Sequence, residues 1–138
     1  MEEEIVRMAA EAVAIAAEMK LSLDYTEKSL PRVEKALTAI APHYATLNDA
    51  AKELTAQRFG CYLLVVAHRT YGGRYQWNEE RARPVLVVGE PNFRVAIMTW
   101  DKVAERLAGD DADDITVFWA GFAARAKAKT AGSDFLFV

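Results

Sequence analysis

Between Glu2 and about Lys20, the apolar residues Ile5, Met8, Ala12, Ile15, Ala16 and Met19 recur at steps of three and four among Glu and Lys, the period of an amphipathic helix. The period lapses in "LSLDYTEKSLP", where Ser29 suits a cap and Pro31 a first turn. It returns on Val33, Leu37 and Ile40, predicting a second helix from about Leu30 to Ala41 with Pro42 as its stop. Asn48 is a good N-cap for a third helix that carries Ala51, Leu54, Arg58, Cys61, Val65 and His68 along one face and can reach Tyr71. Its second half, "CYLLVVA", is apolar all round and β-branched enough to read as a strand; as a helix it is the central, buried one. Gly60 costs such a helix about 1 kcal/mol against alanine, which a close approach by another backbone would explain. The Gly72-Gly73 pair supplies the positive φ that ends helices.

After the glycines, "RYQWN" alternates so that Tyr75 and Trp77 share a side, and "RPVLVV" and "FRVAIMTW" follow short turns, as in an antiparallel meander. "DKVAERLAG" reads as a short helix capped by Asp101 and closed by Gly109. A long last helix begins in "DDADD" and places Ile115, Phe118, Trp119, Phe122 and Ala126 on one stripe. Aspartates 110, 111, 113 and 114 at its start and Arg125, Lys127 and Lys129 at its end match the helix dipole. The expected fold is a single α+β domain over residues 1–138, with N-terminal helices packed on a three- to four-stranded antiparallel meander, then one short and one long helix.

At 138 residues, 52% hydrophobic and 27% charged, the chain can bury roughly two thirds of its unfolded surface without a disulfide or metal. A net charge of -3 argues against nucleic acid as a partner. The longest uncharged apolar run, "FGCYLLVVA", is too short to cross a bilayer. One cysteine and an acidic "MEEE" start point to a cytoplasmic protein.

Candidate chemistry is sparse. Cys61 and His68, seven residues apart, stand about 10.5 Å apart along a helix and on opposite faces of a strand, so neither geometry makes a nucleophile-base pair. His43 can approach Cys61 only through the fold, and a cysteine beside Tyr62, Leu63 and Leu64 is most simply a buried apolar group. No His or Cys spacing suits a transition metal, and "DDADD" lacks the pattern of a calcium loop, so no metal or cofactor is expected. Glycine-rich phosphate cradles are absent. Arg69, Arg74, Arg81 and Arg83 with Tyr71, Tyr75 and Trp77 form a basic-aromatic cluster whose field Glu79 and Glu80 offset. The strand segments are apolar on both sides: Phe93, Val95 and Ile97 point one way, and Ala96, Met98 and Trp100 the other. Either helices of the same chain cover both faces, or one face meets a second molecule. "DFLFV" either packs on its own core or adds to a neighbour's sheet edge.

Three fragments, "LDYTEKSL" (Leu23, Asp24, Tyr25, Ser29, Leu30), "FGCY" (Phe59, Gly60, Tyr62) and "YGGRY" (Gly72, Gly73, Tyr75), together resemble a family of small bacterial domains of unassigned activity. Its pattern reads L-D-Y-S-x-x-S-L, G-x-Y-x-G-E-V, then G-G-x-W. The resemblance spans roughly residues 20 to 120 and implies an α+β fold with "FGCYLLVV" helical, and no activity. This chain departs from the pattern with Leu64 and Val65 in place of Gly-Glu and Tyr75 in place of tryptophan, so any polar site built on that glutamate is missing.

The leading expectation is a non-enzymatic interaction or accessory protein that self-associates as a homodimer through Ala96, Met98 and Trp100. The alternative is a small-molecule-binding domain or minor enzyme with a pocket at the helix-to-strand junction, lined by Tyr62, His68, Arg69, Tyr71, Arg74 and Trp77. A third reading is an immunity-type protein that neutralises a protein partner.

Overall fold

In the computed structural model the chain runs α1 (Glu2–Glu18), a 3-10 turn (Glu27–Ser29), α2 (Leu30–Tyr44), α3 (Asp49–Tyr71), β1 (Arg74–Asn78), β2 (Arg83–Val88), β3 (Arg94–Ile97), α4 (Trp100–Leu107), α5 (Ile115–Ala128) and β4 (Asp134–Phe137). Residues 1–109 and 114–138 are described. The class is α+β, with helices leading and further helices following the first three strands.

α3 is the central post. The Asn48 side chain accepts the Ala51 N–H at its start, and Gly72, at φ +75°, ends it by donating its N–H to the His68 carbonyl. The run from Phe59 to Ala67 is buried throughout, because α1, α4 and β2 pack around it. Surrounded in this way, "CYLLVVA" needs no amphipathic period and is helical. α1 lies along α3 through Ile5, Met8, Ala9, Ala12 and Ala16, and the small residues among them let the two backbones come close.

Pro42 does not stop α2; the helix continues to Tyr44. A proline so near the C-terminal end forfeits a single backbone bond, and burial of Tyr44 two residues later holds the last turn in place. The short helix α4 likewise departs from expectation. It begins at Trp100 with Thr99 as N-cap, and no side chain caps it. The Thr99 hydroxyl instead donates to the Gly60 carbonyl at 2.6 Å, and Asp101 pairs with Arg81 and Arg83.

β1, β2 and β3 form the expected antiparallel meander, and β4 joins β3 in parallel to complete the order β1-β2-β3-β4. The direction follows from the connection: α4 and α5 carry the chain back to the end of the sheet from which β3 started, so "DFLFV" adds to its own sheet. Register places Tyr75, Leu86, Ile97 and Phe137 in one row facing the helices and the main core. The next row, Arg74, Val87, Ala96 and Leu136, faces the other way. Val85, Val87, Ala96 and Met98 form a separate apolar cluster on that side, so the sheet is apolar on both faces as its sequence suggests.

Two carboxylates tie the helices together. Glu34 of α2 accepts from the Arg106 guanidinium of α4 and from the Ile115 N–H at the start of α5. Glu27 accepts from the Tyr71 hydroxyl at 2.7 Å and the Trp119 indole at 2.8 Å. Asp114 caps α5 by accepting from the N–H and hydroxyl of Thr116, which holds its carboxyl below the usual range. Asp110, Asp111 and Asp113 lie outside the described residues.

Candidate functional site

Trp100 opens α4 directly after the buried Thr99 and lies against α3 where Gly60 leaves room. Two cavities meet on either side of it, sharing Trp100, Gln57 and Ala82 as walls. The outer one, about 560 Å³, is bordered by Tyr44, Asp49, Lys52, Glu53, Arg83 and Asp101. The inner one, about 300 Å³, is walled by Ile5 and Met8 of α1, Cys61 of α3, Trp77 of β1 and Pro84 of β2, with Glu4 at its edge.

The contrast between the two chambers follows from one face of α3. Asp49, Lys52, Glu53, Ala56, Gln57, Gly60 and Cys61 fall at steps of three and four, so they line one side of the helix. The stripe is charged at its start and apolar at its end. This spacing was the available sequence signal, but the helical face drawn through Ala51, Leu54 and Arg58 passes beside it. Only the packing of Trp100 against Gly60 shows that the stripe borders a cleft.

The electrostatics are local. Arg81 and Arg83 both reach Asp101, and the Arg83 guanidinium also lies 5.8 Å from the Trp100 ring centre. The Lys52 ammonium stands 5.5 Å from the centre of the Tyr44 ring. Trp100 Nε1 is buried and has no hydrogen-bond acceptor among the described residues. An unsatisfied buried donor costs about 1–3 kcal/mol. Burial pushes the Cys61 thiol up to about 11, against a smaller downward pull from the Trp100 indole.

The residues singled out from the sequence do not converge. Tyr62 is fully buried and structural: its hydroxyl accepts the Tyr25 N–H at 2.9 Å and bonds the Ser29 hydroxyl at 2.6 Å. That contact joins the "LDYTEKSL" and "FGCY" fragments, with the Tyr25 ring stacked on Tyr62 and Arg69 over Tyr25. Tyr71 is held by Glu27. His68 packs on Tyr75, whose hydroxyl donates to the Leu64 carbonyl. His68 and Arg74 border a shallow hollow of about 250 Å³, Arg69 borders a different one, and Trp77 alone of the six lines the cleft. The basic-aromatic cluster is likewise dispersed, with Arg81 and Arg83 drawn to Asp101. His43 is exposed on α2 and Cys61 is fully buried.

Of the expected interface residues, Ala96 and Met98 are buried within the chain at 0% and 2% exposure, and Trp100 lines the cleft. An accessible apolar residue of that sheet side is instead Leu136, in register with Ala96. No helix among the described residues is long and apolar enough to cross a membrane, and no group of three His, Cys, Asp or Glu among them could hold a metal ion. No protein-family model, curated protein or solved structure matches the chain.

Proposed function

We propose that this chain is a non-enzymatic binding domain that takes a small amphipathic molecule in the cleft at Trp100. The observation that carries this reading is the meeting of a charged chamber and an apolar one across a single tryptophan, with volumes in the range of small-molecule sites. The cleft wall offers a thiol kept protonated by burial and neither histidine, which favours binding over catalysis. A thermal-shift screen of small amphipathic molecules tests the reading. Hits are expected to stabilise the wild type and not Gln57→Trp, which fills the junction between the chambers. Silence across a broad library, or equal shifts in that variant, would overturn it.

Self-association is a second reading, favoured by β4. This edge strand carries Leu136 at 49% exposure on the outer side of the sheet, and Val138 just beyond it is 37% exposed. An edge with apolar side chains is suited to pairing with a second copy. Light scattering at micromolar concentration is expected to show a dimer that Leu136→Lys dissociates; a strictly monomeric wild type removes this reading.

A further inference from the structure

We infer that a second copy of this chain docks on a two-layered edge, strand β4 with helix α5 beside it, the two molecules being related by a two-fold axis; the inference rests on the self-association reading above. β4 is an open edge of the sheet. The Ser133 and Phe137 carbonyls accept from the Arg94 and Met98 N–H groups on the β3 side, so by strand alternation the N–H and C=O groups of Asp134 and Leu136 point to the open side. Antiparallel pairing centred on Leu136 lets that residue exchange both hydrogen bonds with its counterpart. It also brings the two half-exposed Leu136 side chains together on one face. Four strand residues bury too little for a stable contact, which takes about 800 Å² from each partner. A second layer has to supply the remainder.

α5 is that layer. Gly121 lies against the Phe137 ring and the Arg125 guanidinium is 4.3 Å from the Phe135 ring centre, which seats the helix beside β4 and antiparallel to it. Val117, Gly121, Ala124 and Ala128 recur at steps of four, three and four along the flank next to the open edge, and all four are exposed, Val117 at 69%. No charged residue interrupts this row, and its small side chains let another helix backbone come close. The charges stand at the poles instead: Asp114, last of the "DDADD" run, caps the start, and Arg125, Lys127 and Lys129 gather at the finish. Two such helices side by side repel when parallel and attract when antiparallel. Antiparallel is the orientation that strand pairing about Leu136 imposes, because each α5 is fixed to its own β4. Sheet edge and helix poles therefore select the same partner, a two-fold copy, and the contact closes instead of propagating.

The test measures dimerisation of the full chain by analytical ultracentrifugation over a range of concentration and salt. The wild type is expected to form a dimer and no larger species, loosening several-fold between about 0.05 and 0.5 M salt as the opposite poles are screened. Ala124→Glu, at an exposed position that leaves the core alone, should weaken the dimer at least about tenfold. Val117→Glu on the same flank gives an independent reading, and Ala10→Glu on the exposed side of α1 makes the same charge change and should leave the dimer unaltered. A dimer that Leu136→Lys dissociates while Ala124→Glu and Val117→Glu do not overturns the part of α5 and leaves pairing through β4 standing. A dimer indifferent to salt or tightened by it, or growth into larger species, overturns the two-fold arrangement. A strictly monomeric wild type removes the self-association reading and this inference with it.

Discussion

A β-carbon built on Gly60 would stand 2.6 Å from Cδ1 of Trp100 and 3.2 Å from its Cα. The glycine expected from sequence to mark a close backbone approach therefore meets the residue that divides the cleft. Gly60→Ala gains about 1 kcal/mol of helix propensity but forces Trp100 and the start of α4 outward, an overpacking cost of about 1–3 kcal/mol. The expected outcome is a net loss of stability in urea unfolding together with a shifted tryptophan emission. A stabilised variant with unchanged emission would show that Trp100 is not fixed by this contact.

Glu27 receives the hydroxyl of Tyr71 and the indole of Trp119 on one carboxylate oxygen. Glu27→Ala leaves both donors without that acceptor and should destabilise by about 2–4 kcal/mol, given about 1.5–3 kcal/mol for each charge-assisted bond and some access to water. Glu27→Gln keeps a carbonyl acceptor and should lose less. Equal, large losses for the two variants, measured by chemical denaturation, would mean that a neutral carbonyl cannot stand in for the carboxylate, and a small loss for Glu27→Ala would mean that the two hydrogen bonds contribute little.

Alkaline pH should unfold the protein. Burial raises Tyr44, Tyr62, Tyr71 and Tyr75 above the usual tyrosine value of 10.0, and raises Cys61 from 9.0 to about 11. Groups with raised values hold their protons longer when folded, so their stability is full below the unfolded values and declines as pH climbs through the folded ones. Denaturation midpoints should be flat to about pH 9 and fall beyond it, and iodoacetamide should label Cys61 slowly at neutral pH. A midpoint that holds through pH 11 contradicts the burial of these groups.

Ala82, at the turn bordering both chambers, has φ +54°, a left-handed conformation that disfavours a β-carbon. Ala82→Gly relieves this strain and enlarges the freedom of the unfolded chain, leaving a net stabilisation of about 0.5–1 kcal/mol. A higher melting temperature by calorimetry is the expected reading, and a lower one would place the turn's support elsewhere.

Much of the scaffold was legible because local chemistry and tertiary packing agree. Asn48 caps α3, Gly72 ends it, and Tyr75 and Trp77 share a strand side. Where they disagree, packing decides: buried Tyr44 carries α2 past Pro42, and Thr99 turns its hydroxyl to Gly60 and leaves Asp101 to the arginines. The direction of β4 was not legible, since an apolar strand reads alike in either orientation. The cleft was hidden for a related reason. Asp49, Lys52 and Glu53 look like an ordinary solvated helix face, and only contacts across some forty residues set them opposite Trp100 and Arg83.

Because α3 is gripped by α1, α4 and the sheet, it has little freedom to tilt when its remaining side is filled. A guest seated there would meet a preformed mould instead of drawing one closed. Its imprint should be spread along the whole rod as slower amide exchange, with the Cα trace unmoved.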